Sequence, residues 1–381
     1  MDLSFTDDQR LLRESIERVL ADRYDVPRRL AYLSEARGFG EETWRTCAEL
    51  GALAVPFDER FGGLGGGAIE VMIIMESLGH AMAVEPYLAT VVMGGGLLRR
   101  CGSPAQQMEL IPKIIDGSLT LAVATTEPES GYELARVATR ARAIGDGWQL
   151  DGAKSVVLGG ASAERLIIPA RVSGGCDDTA GIGLFIIDGS ATGLGRESYS
   201  LQDGLPAADL SLSAVRCGPE ACLGDPEAGY ASLAATVEEG MAALCAEAVG
   251  AMDRVFALTL EFLKTRQQFG RPLGDFQALQ HRAVDMFVAL EQARSMALYG
   301  TLKLASPDPG ERSRAVSAAK ASIGKAARQI GQEATQLHGA MGMTVDYPCG
   351  VLFKRLTMID STFGHHRHHA RELVRRGGLP S

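Results

Sequence analysis

Glu247 is the only charged residue of twelve in the apolar run MAALCAEAVGAM (241–252). A carboxylate in such a setting resists ionisation, as a general base working near neutral pH must. The same residue also reads as half of a buried ion pair, matched by an arginine on a neighbouring helix. The tract His365-His366-Arg367-His368-His369 puts imidazoles at helical i, i+3 and i+4 spacing, which paired metal ligands use. Arg367 in its centre would repel a cation, and Glu372 is its one acidic neighbour, so the expectation is no metal. A polar interface tract or contacts to phosphates are expected instead. FGGLGGG (61–67) has the glycines of a phosphate cradle, but no strand precedes it and no Lys-Ser/Thr follows; it reads as a flexible helix–helix loop.

These residues need elements to position them. Thr6 can cap a helix whose apolar positions recur at Leu11, Leu12, Ile16, Val19 and Leu20. Further helices are expected over 41–50, 68–80, 87–101 and 104–116. From Leu119 the texture changes to short alternating runs, LTLAVATTE, ATRARAIGDGWQLDGAKSVVL, ERLIIPARV, GIGLFIIDG and ADLSLSAVRC. Gly145-Asp146-Gly147 and Asp151-Gly152 read as tight turns between strands of a compact β-barrel. After Gly224-Asp225-Pro226, long amphipathic helices are expected over 238–266, 276–304, 312–337 and 351–374, forming an antiparallel four-helix bundle. The domains then run 1–119 (helical), 120–225 (β-barrel) and 226–381 (four-helix bundle), an α+β chain.

With 381 residues, 46% of them hydrophobic, the chain can build such cores without disulfides or metals. Its net charge of −9 argues against general binding to nucleic acid or anionic membranes. The seven cysteines form no C-x-x-C pair, which fits a reducing cytoplasm. The N-terminal text reads as an acidic amphipathic helix, neither a signal nor a transit peptide, and no apolar run of about 20 residues spans a membrane.

Three segments, KTRQQFGRPLGDFQALQHRAVDM (264–286), QLHGAMGMTVDYP (336–348) and TTEPESG (125–131), together with the order α, β-barrel, α-bundle, resemble the acyl-CoA dehydrogenases over essentially the whole chain. The narrowest resemblance is to small subunits of heteromeric bacterial members such as pimeloyl-CoA dehydrogenase. The resemblance implies FAD as cofactor, an acyl-CoA thioester as substrate and α,β-desaturation in lipid degradation. It also implies electron-transfer flavoprotein as acceptor, and either a sister subunit (α2β2) or a homo-oligomer. Arg266, Phe269, Gln277, Gln336 and Gly339 match family positions that reach a neighbouring subunit's flavin. Their chemistry suits it: a guanidinium fork for the pyrophosphate, an apolar ring, amides, and a glycine that lets backbone come close. Taken alone, Arg266 could equally cap helix carbonyls.

The residues expected to hold the chain's own flavin depart from the pattern. The family's Thr-Glu-Pro-Gly-x-Gly-Ser-Asp has become Thr126-Glu127-Pro128-Glu129-Ser130-Gly131-Tyr132-Glu133. Its Trp-Ile-Thr is Val156-Val157-Leu158, and its Glu-Gly-Thr-x-Gln is Phe363-Gly364-His365-His366-Arg367. Both family positions for the base are empty, being Phe363 and Gly240. Glu247, seven residues or two turns beyond Gly240, is the candidate base, with Asp360 second. Small residues such as Ala242, Ala243 and Ala246 are expected to line an acyl cavity, which leaves fatty, dicarboxylic and polycyclic acyl groups all open. Three functions follow for test: an acyl-CoA dehydrogenase subunit, a non-catalytic partner completing a sister's flavin site, and an oxidase on the same scaffold.

Overall fold

Thr6 starts the first helix with a reciprocal cap, its hydroxyl accepting from Gln9 N while the Gln9 side chain accepts from Thr6 N. The computed structural model describes residues 5–344 and 346–378. In chain order the first helices are α1 (Asp7–Arg23), α2 (Val26–Leu33), α3 (Glu41–Glu49), α4 (Ala68–Ala81), a π-helical stretch Leu88–Gly94 leading into α5 (Gly95–Cys101), and α6 (Pro104–Ile115). Strands follow: β1 (Leu121–Val123), β2 (Arg140–Ile144), β3 (Gly147–Leu158), β4 (Arg165–Arg171), β5 (Ile182–Asp188), β6 (Leu194–Ser200) and β7 (Pro206–Cys217). The rest is α7 (Tyr230–Thr265), the short strands β8 (Gln267–Gln268) and β9 (Arg271–Pro272), α8 (Gln277–Lys303), α9 (Pro309–His338), α10 (Pro348–Ser361) and α11 (His366–Arg375).

Two compact units emerge. One comprises Met1–Ala31, Ala68–Ala83 and Met241–Ser381, and the other Tyr32–Gly67 and Val84–Gly240. The second holds one seven-stranded sheet in the order β1-β4-β2-β3-β7-β6, with β5 on β4. Ala122, Ala141, Leu150, Ile168, Phe185 and Leu210, each from a different strand, bury into a single core, with Leu194 of β6 packed against it. A sheet can wrap one core in this way only by curling, so the expected barrel is this curled sheet.

Several expectations shift in detail. Gly145 (φ +61°) does open the two-residue turn between β2 and β3, where a II′ hairpin needs glycine. Asp151-Gly152 is not a turn. It lies inside β3, where the register with β7 slips between Leu150 and Gly152. There Asp151 accepts from Ala214 N at 2.7 Å, and a side chain on Gly152 would strike Thr139. The FGGLGGG loop is pinned rather than flexible: Leu64, Gly65 and Gly66 N–H groups donate to the Ala54, Phe57 and Val55 carbonyls. α7 starts eight residues before the expected 238, and the last expected helix is two, broken where Phe363 (φ +57°) and Gly364 (φ +110°) turn left-handed. α2 and β6 were not expected. No helix among the described residues is long and apolar enough to cross a membrane.

Candidate functional site

In the first unit, α4 crosses α7 at backbone distance. A Cβ on Gly79 would collide with the Glu247 carbonyl, and one on Gly250 with the Glu76 carbonyl, so each helix needs glycine opposite the other. Glu247 is buried, and its carboxylate is held by a fork from α10: Arg355 Nε donates to Oε1 at 2.5 Å and a terminal nitrogen to Oε2 at 2.7 Å. Both side chains are nearly sealed from water, at 8% and 13% exposure. Both oxygens of the carboxylate are thereby engaged by one guanidinium. This is the pairing that the structural alternative to a base expects. Ala242, Ala243 and Ala246 are fully buried alongside it.

The second expected group lies at the far end of α7, on the surface. β8 and β9 pair across a two-residue turn, Phe269-Gly270, with both residues left-handed (φ +55° and +78°). That is a type I′ turn, which ordinarily takes Asn-Gly. A bulky residue there costs about 1–2 kcal/mol, yet the turn leaves the Phe269 ring 90% exposed. Arg266 is exposed, and its guanidinium has no ion pair among the described residues. Phe276 receives the edge of Phe269 at 6.1 Å and lies under Arg271 at 4.2 Å. Gln277, first residue of α8, and Gln336, near the end of α9, are exposed as well.

His338 fastens the second motif segment to α7, and sequence reasoning missed it. Its ring stacks on Phe262 of α7 at 4.6 Å, one turn before Arg266. Nδ1 donates to the Ala334 carbonyl at 2.8 Å and Nε2 accepts from Tyr347 at 3.2 Å, with burial pulling the imidazole below its ordinary pKa. Gly339 (φ +62°) is required for its conformation, since a Cβ there would meet open space, whereas one at Gly342 would press on the Thr335 carbonyl.

The residues expected to hold the chain's own flavin are built differently. Glu127 turns inward: its carboxylate accepts from Lys154 Nζ at 2.7 Å and from the N–H groups of Ala138 and Thr139 at 2.7 and 3.1 Å. Burial would raise its pKa, but Lys154 and those amides outweigh it, and the net shift is downward; burial lowers that of Lys154. Arg171, also buried, donates to the carbonyls of Ala135, Cys176, Asp178 and Ala180. The segment 127–139 is thereby fixed without any ligand. Val156, left-handed (φ +52°) at a second slip in β3, gives its N–H to Asp209, which also accepts from Tyr199. The unusual backbone presents an aliphatic group with nothing to donate.

At the α10–α11 break, Lys320 of α9 is completely buried and caps the carbonyls of Ile359, Asp360 and Gly364 at 2.7, 2.9 and 3.1 Å. Burial pulls its pKa down to about 8. Asp360, the second candidate base, is engaged too, accepting from His366 N and facing His366 Nδ1, both at 2.9 Å. His365 caps α11 by accepting from His368 N, and His369 donates from Nε2 to the Phe363 carbonyl at 3.0 Å. The histidine tract is thus the fastening of this turn, and no metal-binding cluster occurs among the described residues.

Burial pushes the His369 pKa from 6.5 down to about 3. Below pH 6.5 the unfolded chain takes up a proton that the folded one refuses. Stability should therefore fall between pH 6.5 and 3, by at most about 1.4 kcal/mol per pH unit. Urea melts of wild type and His369→Asn at stepped pH check this, the variant lacking that slope.

Comparison with known proteins agrees with this layout. Residues 6–118, 122–215 and 227–376 match the models of the acyl-CoA dehydrogenase N-terminal, middle and C-terminal domains. The chain is 26% identical over 352 residues to the probable acyl-CoA dehydrogenase YngJ of Bacillus subtilis, covering 91% of this chain and 92% of that one. Among solved structures it is similar to the Tcur3481–Tcur3483 steroid ACAD variant (29% identity, TM-score 0.87, 97% of each chain). It also shares the fold of the ChsE4–ChsE5 complex from Mycobacterium tuberculosis (23% identity, TM-score 0.90, 100% of each). With its helical, curled-sheet and helical domains all matched in order, the chain belongs to the acyl-CoA dehydrogenases, a family of FAD-dependent oxidoreductases.

Proposed function

We propose that this chain is one subunit of a heteromeric acyl-CoA dehydrogenase of the pimeloyl-CoA dehydrogenase small-subunit type, completing the flavin site of a sister chain in an α2β2 assembly. The carrying observation is the division of the flavin-binding residues. Arg266, Phe269, Gln277, Gln336 and Gly339 stand on an exposed surface, and the Phe269 turn is strained to present its ring. Val156, Leu158 and Phe363 offer a flavin of the chain's own neither ring stacking of the family kind nor a hydroxyl donor. The residues present therefore fit one side of FAD and not the other. In the assembly the flavin supplies hydride acceptance, while this chain would place the Arg266 guanidinium against the pyrophosphate and the Phe269 ring against an apolar face. The pairing in the ChsE4–ChsE5 complex supports a two-chain arrangement.

Glu247 belongs, on this reading, to a structural pair with Arg355, and the base comes from the sister chain. The substrate is an acyl-CoA, the acceptor electron-transfer flavoprotein and the compartment the cytoplasm, with domains at 1–119, 120–225 and 226–381.

Purification alone and with the sister chain, counting flavin per chain, tests the proposal. The expected result is little flavin alone and one flavin per two chains together. One flavin per chain in a stable homotetramer would overturn it. Phe269→Asn supplies the preferred residue of the I′ turn, so the free chain should gain about 1 kcal/mol by thermal melt. The assembled enzyme should hold flavin at least about tenfold more weakly, read from released flavin fluorescence.

A further inference from the structure

α9 ends where the flavin surface begins. Gln336 and Gly339 are exposed on either side of His338, which is itself buried. The His338 ring stacks on Phe262 of α7 at 4.6 Å and meets Tyr347, the residue before α10, at 5.2 Å. Phe262 in turn accepts from Arg266 N at 2.9 Å through its carbonyl. The Gly339–Met343 turn closes over the same residue, since a Cβ on Gly342 would come within 3.1 Å of His338 Cβ. One imidazole therefore joins the end of α7, the end of α9 and the start of α10, the segments around Arg266, Gln336 and Gly339. Its hydrogen bonds have a fixed polarity. Because Nδ1 donates to the Ala334 carbonyl at 2.8 Å, the neutral ring keeps only a lone pair at Nε2, which Tyr347 fills by donating at 3.2 Å.

We propose that His338 is a positioning residue for the flavin surface, its neutral ring and the Tyr347 bond holding Gln336 and Gly339 in register with Arg266. The inference rests on the flavin reading and adds a pH dependence to it. Protonation reverses the bond: Nε2 gains a hydrogen, the phenol must turn its own away, and the Leu258 carbonyl of α7 competes as acceptor. Burial opposes that proton while the Ala334 and Leu258 carbonyls favour it, and burial wins, so the folded pKa lies below the ordinary 6.5. The titratable and charged groups facing the pair are Glu261 and Arg254 of α7 and Cys349 of α10, all bearing on Tyr347. The hold on flavin is therefore complete above pH 6.5 and weakens as pH falls through the lower, folded value.

The test uses the assembly purified with its sister chain, with the flavin dissociation constant read from flavin fluorescence between about pH 5 and 8. Tyr347→Phe keeps both rings and removes one hydrogen bond, so it should weaken flavin about fivefold at the alkaline end. It should also move the acid loss to higher pH, because the neutral ring then lacks its donor. His338→Phe keeps the stack on Phe262 and should weaken flavin at every pH while abolishing the acid loss. A purely structural role would lower the melts of both variants and leave flavin binding and its pH profile as in wild type. That result, with Arg266→Ala still weakening flavin, overturns the positioning role and leaves the flavin reading standing. Flavin binding that Arg266→Ala also leaves unchanged would instead count against the flavin reading, and the positioning role would fall with it.

Discussion

Glu247→Ala should destabilise the chain by about 3–5 kcal/mol, a large share of a domain's usual stability, because it removes the carboxylate that takes two hydrogen bonds from the Arg355 guanidinium in a nearly dry site. The double variant Glu247→Ala/Arg355→Met should recover most of that loss, since two apolar side chains in place of the pair leave no buried charge. Urea melts of the four combinations form the cycle, and a coupling below about 0.5 kcal/mol would overturn the pair. Turnover separates the pair from the base. Glu247→Gln keeps the shape and two hydrogen-bonding atoms, so near-normal turnover in the assembled enzyme means that Glu247 is not the base. A base would lose several orders of magnitude while the melt barely moved.

Lys154→Met should have an effect of similar size in the unit that holds the curled sheet, about 3–5 kcal/mol. Lys154 and Glu127 are 1% and 7% exposed, so solvent screening does little to soften the loss. The carboxylate left behind keeps the Ala138 and Thr139 amides but loses its hydrogen-bonded ammonium. Glu127→Ala frees the amides as well and should make the segment 127–139 more susceptible to limited proteolysis than in wild type. The pH dependence has a defined sign. The folded pKa of Glu127 lies below its ordinary 4.5, so its contribution is fully present above 4.5 and is lost as pH falls through the folded value. Wild type should therefore lose stability below pH 4.5 that Glu127→Gln lacks. This window lies at the acid end of the broader His369 slope, and the two variants separate the contributions.

The histidine tract shows why chemical type and spacing alone mislead. Its i, i+3 and i+4 pattern is real, but Lys320, some forty residues upstream, draws the break between α10 and α11 together, and the imidazoles serve as caps and partners around that break. The same holds for Glu247. Twelve residues of text establish that it is a lone charge in apolar surroundings, and base and buried pair both fit that description. The partner, Arg355, lies 108 residues away, in a stretch where nothing local marks it.

The sequence by itself determined the broad order of elements, the family and the exposed motif segments that the proposed function draws on. Caps such as Thr6, hydrophobic periodicity and the segments 264–286 and 336–348 are local patterns, and local hydrogen bonding and backbone preference suffice to realise them. Tertiary structure alone decided what each buried charge does and which backbone positions are strained. Glu247 with Arg355, Glu127 with Lys154, and Lys320 beneath the α10–α11 turn are contacts between segments remote in sequence, set by packing. The left-handed turns at Val156, Phe269 and Phe363 defy the residues' own preference. Only the surrounding fold, by holding both flanks of each turn, keeps them there.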